Sequence, residues 1–329
     1  MSPSSILAMA DLATPMSIRV AATLGLAERA GSAGATAAQL ATETGTSAAA
    51  LQRLLDHLVT AGVFALDAEN GRYRPTSLGD QMREDAPAGI KPLLDITSAG
   101  GRAELAFVDL LETITSGKTA YAHRYGREFW ADIDAEPKLR SSFDAQMTWR
   151  FQKQAPQIAE RVDWSRFPRI LDVGGGNGTV LAAILDAHPG LRGDVLDLPP
   201  SAAAAAERFA SMGLDDRAGA LPGSFFVPLP EGYDVYLLSD IVHDWDDDHA
   251  REILTRCRQA AAPDGTVVLI EPVREQSGTG IDLFMLMCFT GRERTIGELT
   301  GLATGCGLVL RNSGQASDGR MALEFTVAA

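Results

Sequence analysis

Residues 170 to 178 read Ile170-Leu171-Asp172-Val173-Gly174-Gly175-Gly176-Asn177-Gly178 and run into the apolar helical stretch 180–185. An apolar strand, a glycine turn and a helix form the unit that α/β folds repeat around a parallel sheet. Glycine allows both the tight turn and a close approach of backbone to a ligand, and the first N–H groups of the helix are free to meet an acceptor. The loop therefore reads as a nucleoside-cofactor site. A dinucleotide fingerprint would need a further glycine at position 179, where Thr179 stands, so the spacing is GxGxG and not GxGxxG. Asp172 just before the loop would repel a pyrophosphate and attract an ammonium group, which points to a cationic cofactor.

Beyond Arg169 the apolar runs 170–173, 195–198, 235–238 and 267–270 alternate with helical patterns, which predicts a doubly wound parallel sheet; further strands are expected near 308–310 and 322–327. Asp197 ends the second of these runs, about 20 residues past the glycines, where a carboxylate can accept both ribose hydroxyls. Its alternative is a solvated strand end before Pro199-Pro200. The alanine run 202–206 reads as a helix capped by Ser201.

The first hundred residues have a different character. Leu12, Met16, Val20, Leu24 and Ala27 recur at helical spacing and form a stripe that needs a partner surface. Thr36-Ala37-Ala38-Gln39 is a capping box opening a helix that stops near Gly45, and Ser47 caps another that ends at Gly62. Asn70-Gly71 between two short apolar runs signals a hairpin. Helix, helix and hairpin predict a winged helix. Such a module could serve a regulator that reads DNA, yet between residues 36 and 61 the formal charges are Glu43, Arg53 and Asp56, a poor set for phosphates and base edges. From 103 to 160 the pattern is mostly helical, broken at Gly117 and 120–126, and is expected to join the domains and cover a pocket.

Five motifs in order carry a resemblance. They are Asp172 to Gly178, Asp197, Gly223-Ser224-Phe225-Phe226, Leu238-Ser239-Asp240-Ile241-Val242-His243-Asp244-Trp245, and Gly291-Arg292-Glu293-Arg294-Thr295. Together they resemble the S-adenosylmethionine-dependent O-methyltransferases, in particular the group of plant caffeate and flavonoid enzymes and the bacterial enzymes that decorate aromatic polyketides. The resemblance implies a Rossmann-like, seven-stranded class I methyltransferase sheet whose last strand runs antiparallel. It also implies an N-terminal α-helical winged-helix dimerisation domain. The expected bounds are 1–100 for that domain and 101–329 for the catalytic domain, with a helical linker or cap at about 101–160. A homodimer, the cofactor S-adenosylmethionine and the product S-adenosylhomocysteine follow from the same likeness.

Methyl transfer from a sulfonium needs two aligned reactants and a nucleophilic acceptor oxygen, and a phenol near pKa 10 gains from a general base. His243 lies just past the strand 235–238, at the edge where open α/β sheets bind ligands, and is the candidate. By resemblance, Glu271 and Glu293 bracket it and orient its ring; the alternative for Glu293 is an ion pair with Arg292 or Arg294. Gly174, Gly175 and Gly176 would pass beneath the methionine portion of the cofactor. Phe225 and Trp245 match positions that pack on adenine, though each could be core. Ser224 stands where an aspartate often accepts from the adenine amino group, and Ser239 where plant relatives carry lysine and some bacterial ones serine. The acceptor would be held by Met147, Phe284, Met285, Cys288 and Phe289, with Asp244 supporting the substrate or the loop. A runner-up is a relative that keeps the cofactor but performs non-methylating tailoring; the resemblance implies that such relatives tend to lack the histidine.

Composition narrows the partners. The 329 residues are 46% hydrophobic and carry a net charge of −14, which disfavours a phosphate-backbone partner. Cys257, Cys288 and Cys306 show no metal-ligand or CxxC spacing, so neither a metal nor a disulfide framework is expected and a reducing cytoplasm fits. The start Met1-Ser2-Pro3-Ser4-Ser5 lacks the basic region of a signal peptide, and no uninterrupted run of about 18 apolar residues suggests a membrane span.

Overall fold

A computed structural model describes residues 5–328 other than Ala88, Ala262 and Ser277, so Met1 to Ser4 lie outside the described residues. The chain divides into two compact units, one formed up to Leu105 together with Asp132–Gln146, the other by Ala106–Ala131 and Met147–Ala329. The helical region 101–160 is thus shared between them rather than belonging to one.

In the first unit the apolar stripe forms two helices, Ala13–Thr23 and Leu26–Ala30, because Gly25 takes a left-handed conformation (φ 61°) between them. Helix Ala37–Thr44 opens with the capping box of Thr36 and Gln39, and helix Ala48–Thr60 has the Ser47 side chain accepting from Ala50 N–H. Strands β1 (Phe64–Asp67) and β2 (Arg72–Pro75) pair as the hairpin, and Leu26, Leu40, Leu55, Leu58 and Phe64 make the core. Residues 6–23 are long and apolar enough by length and composition to count as a possible membrane span, although Asp11 and Arg19 interrupt the run as the sequence shows. The stretch is broken, however: helix Ile6–Met9 ends, and Asp11 then accepts from the N–H groups of Ala13 and Thr14 to start the next helix.

The second unit holds strands β3 (Arg169–Val173), β4 (Arg192–Asp197), β5 (Ala218–Pro222), β6 (Val235–Ser239), β7 (Thr266–Glu271), β8 (Leu308–Ser317) and β9 (Arg320–Val327). They form one seven-stranded sheet in the order β5-β4-β3-β6-β7-β9-β8, with β9 antiparallel to both its neighbours. Successive residues face opposite layers. Ile170, Val235, Leu237, Val268 and Ile270 pack with helices Gln154–Arg161, Thr179–Ala187 and Pro199–Ser211. Leu171, Val173, Tyr236, Leu238, Val267 and Leu269 pack with helices Asp247–Ala261 and Ile296–Gly305. After β3 the chain winds outward through β4 and β5, then returns to place β6 on the other side of β3. The crevice beyond the carboxyl ends of β3 and β6 is therefore the topological switch point.

Three local expectations need correction. Ser201 does not cap the alanine helix, which starts earlier at Pro199, since prolines are at home in a first helical turn where no N–H partner is needed. Residues 120–126 are not a break but a short helix, Ala120–Tyr125, closed by left-handed Gly126. The strand β5 carries too weak an alternation to be seen in the sequence.

Candidate active site

The glycine loop follows β3 at the switch point. Gly174 (φ 74°) and Gly176 (φ 57°) need the left-handed region, and a Cβ on Gly175 would stand 2.5 Å from the Asp172 carboxylate. Asp197 closes the loop by accepting from Gly176 N–H at 2.8 Å and from Leu198 N–H at 2.7 Å. Asp172 is 1% exposed and neither of its carboxylate oxygens has a hydrogen-bond partner. Burial, and secondarily the charge of Asp197, push its pKa up to about 7. A buried carboxylate without a partner is costly, and a cationic ligand group would relieve it.

Phe225 lies against Gly174, whose Cβ would approach its ring to 3.2 Å, and packs with Phe226 (4.9 Å between centroids) and Trp245 (6.0 Å). The Ser224 hydroxyl accepts from Phe226 N–H, and the buried Ser239 hydroxyl at the end of β6 has no partner. The loop, Asp197, these aromatics and two serines thus ring the mouth of β3, β4 and β6, and the residues present fit S-adenosylmethionine.

Past β6 the chain turns through Asp240, which adopts a left-handed conformation (φ 53°) despite its side chain. The turn Val242–Asp244 presents His243, buried at 4% exposure. Its Nδ1 donates to Glu293 Oε1 at 3.1 Å, Glu271 Oε2 lies 3.9 Å from the same nitrogen, and Asp244 Oδ1 lies 3.4 Å from Nε2. Glu293 thus holds the ring. Glu271 instead spends Oε1 on the backbone N–H groups of Ile241 (3.0 Å) and Val242 (2.7 Å), fixing the turn that carries the ring.

Arg292 and Arg294 do not pair with Glu293. Both bind Asp247, and buried Arg294 also donates to the carbonyls of Val242 and Trp245, stapling the turn from beneath. Gly291 touches that turn directly, since a Cβ there would lie 2.0 Å from the His243 carbonyl oxygen. Burial alone would lower the His243 pKa, but Asp244, Glu271 and Glu293 outweigh it and raise it to about 9. Burial likewise pushes Glu271 up to about 7 and Asp244 up to about 6, against the pull of the imidazolium.

Of the expected acceptor residues, Phe284 and Phe289 are half-buried and in ring contact at 6.4 Å, while Met285 and Cys288 are buried and Met147 packs on the sheet core. The aromatic cluster extends to Phe129 and Trp130, 4.9 and 5.6 Å from Phe289, which the sequence pattern did not single out. Arg320 donates to both oxygens of Asp240, and Arg150 Nη2 lies 3.3 Å from Asp240 Oδ2, a pairing across 80 residues and more that nothing in the spacing announces. Among the described residues no group of three or more His, Cys, Asp or Glu is placed to hold a metal ion.

A Rossmann-like seven-stranded sheet with a glycine loop, an aspartate at the end of β4 that holds this loop, and a carboxylate-held histidine at its switch point defines a class I methyltransferase. The chain belongs to the O-methyltransferase family: residues 107–309 match its O-methyltransferase domain and 7–84 its dimerisation domain. It is 47% identical, over 92% of both chains, to a 2,7-dihydroxy-5-methyl-1-naphthoate 7-O-methyltransferase of Streptomyces carzinostaticus. It is 39% identical, over 97% of this chain and 87% of the other, to the aclacinomycin 10-hydroxylase RdmB of Streptomyces purpurascens. An O-methyltransferase from neocarzinostatin biosynthesis, solved with S-adenosylmethionine and 2-hydroxy-5-methyl naphthoic acid, superposes with a TM-score of 0.94 at 44% identity, covering 99% of this chain and all of that one. The chain is an S-adenosylmethionine-dependent O-methyltransferase.

Proposed function

We propose that the enzyme methylates a phenolic hydroxyl of an aromatic small molecule in bacterial antibiotic biosynthesis, with His243 as general base. The observation that carries this is the buried imidazole whose Nδ1 is committed to Glu293, which leaves Nε2 to take a proton. When bound, the cofactor supplies a sulfonium methyl group as electrophile. His243 Nε2 takes the acceptor's proton and leaves its oxygen the electron pair with which it attacks, and Asp244 beside Nε2 supports the imidazolium. The raised pKa sets the proton count, not the role: an imidazolium facing a phenolate and an imidazole facing a phenol are one complex, one proton transfer apart.

Asp172 would hold the cofactor's ammonium group, Asp197 its ribose, and Phe225 and Trp245 its adenine, with Ser224 and Ser239 at the rim. Phe284 and Phe289 would form the acceptor wall, supported by buried Met285 and Cys288 and by Met147. We further propose a homodimer formed through the dimerisation domain, a cytoplasmic setting that suits three cysteines held in no disulfide, and no nucleic-acid or membrane partner.

The test is incubation with labelled cofactor and a panel of phenols read by mass spectrometry, where gain of a methyl group is expected and gain of an oxygen atom would favour tailoring like that of the hydroxylase relative. On a verified acceptor His243→Ala should lower kcat by about 10²- to 10⁴-fold with affinity for S-adenosylhomocysteine nearly unchanged. In the parent, kcat/KM should climb with pH toward about 9, because the free enzyme must first give up the histidine's proton. Glu293→Gln removes an anion from Nδ1, so the rise should move to lower pH. Equal turnover of His243→Ala and parent at neutral pH would overturn the assignment of the base.

A further inference from the structure

Glu293 aims the histidine ring, yet little holds its own side chain. Oε1 accepts from His243 Nδ1 at 3.1 Å, while the buried Oε2 has no hydrogen-bond partner. The main chain of residue 293 therefore sets the direction of the carboxylate. Two side chains hold that main chain from opposite ends. The Glu293 N–H donates to Asp282 Oδ1 at 2.9 Å, and Arg274 Nη2 donates to the Glu293 carbonyl at 2.9 Å. Arg274 follows β7, where its own N–H donates to the Arg294 carbonyl at 3.0 Å and Val273 bridges Arg294, so it belongs to the framework that joins the 291–295 segment to the sheet. Asp282 comes from elsewhere. It stands in the first turn of helix Thr279–Cys288, the helix that carries Phe284, Met285 and Cys288. A path of two hydrogen bonds thus runs from that helix through Glu293 to the imidazole.

We propose that Asp282 is a positioning residue for methyl transfer: by accepting from the Glu293 N–H it sets the carboxylate that orients His243, and it makes the acceptor wall and the base one hydrogen-bonded unit. This rests on reading His243 as the base. The competing role for Asp282 is local, since an acid in the first turn stabilises a helix through its charge on the dipole. The two roles need different atoms. Holding Glu293 needs an oxygen that accepts at this place, charged or neutral, because the N–H of a fully buried residue must find a partner. The dipole needs the charge.

The experiment compares Asp282→Asn, which keeps an accepting oxygen and loses the charge, with Asp282→Ala, which loses both. On a verified phenol Asp282→Ala should lower kcat by about 10- to 100-fold, the scale of a misplacement of about 1 Å in a reacting group's surroundings, with affinity for S-adenosylhomocysteine unchanged. Asp282→Asn should recover most of that loss. Release of Glu293 from Nδ1 leaves Asp244, Glu271 and Asp240 to raise the histidine's pKa. The climb of kcat/KM with pH should therefore move to lower pH in Asp282→Ala and stay near the parent's in Asp282→Asn. NMR titration of the His243 ring in protein loaded with S-adenosylhomocysteine, with the signal assigned by its loss in His243→Ala, reads the same displacement without turnover. An Asp282→Asn chain as impaired as Asp282→Ala, or an Asp282→Ala chain whose His243 titrates as in the parent, overturns the proposal. If His243→Ala methylates as fast as the parent the base reading fails, and the NMR titration still decides whether Asp282 holds Glu293 to the ring.

Discussion

At the scale of single residues the site is governed by buried carboxylates, and Asp172 shows the consequence most simply. Burial first, and the charge of Asp197 second, raise it from 3.8 to about 7. Between these values the folded chain binds more protons than the unfolded one, so this group lowers stability as pH rises from about 4 to about 7 and adds no further change above. A cationic ligand has the opposite preference, because it favours the ionised form. Affinity for S-adenosylhomocysteine, which carries the ammonium group, should therefore fall as pH drops below about 7, by up to tenfold per pH unit. Asp172→Asn should bind weakly and without that slope. Calorimetry from about pH 5.5 to about pH 8 reads both, and a flat parent profile would mean that this carboxylate is not the ammonium's partner.

At the scale of elements, two loops about 50 residues apart build the histidine's surroundings as one piece. The turn after β6 is pinned from above by Glu271, from beneath by Arg294, and from the side by Gly291, whose missing Cβ lets the 291–295 segment bring Glu293 to Nδ1. Gly291→Ala would press a methyl group into backbone at 2.0 Å, where no side chain can swing away. Overpacking of this kind costs about 1 to 3 kcal/mol or more. The variant should unfold at lower denaturant concentration and lose most of its turnover; a Gly291→Ala chain with parental stability and rate would separate the two loops. Much of this was legible in the sequence. Short continuous apolar runs located the central strands, the glycines located the cofactor loop, and His-Asp-Trp located the turn. What periodicity cannot carry is through-space pairing, so the sequence did not reveal that Glu293 rather than Glu271 bonds the ring. Nor did it reveal that Asp240 bends left-handed between two arginines.

For the whole molecule the open question is which surface joins two copies, and the first unit offers an answer. Ile6, Leu7, Met9 and Leu12 are between 64% and 81% exposed. Burying such side chains is worth roughly 1.5 to 3 kcal/mol each, and they lie at the head of the matched dimerisation domain. Removing everything before residue 30 would be a poor test, because Ala21, Ala22 and Leu26 belong to the unit's core. Replacing Leu7 and Leu12 with aspartate leaves that core untouched. The parent should sediment at about twice its monomer mass of 34.9 kDa, and the double variant should shift toward the monomer with little change in melting temperature, since exposed positions contribute little to the unit's own fold. Activity should fall with the dimer if the partner copy helps form the working enzyme. A parent that sediments as a monomer with full activity would remove the dimer from the account of catalysis altogether.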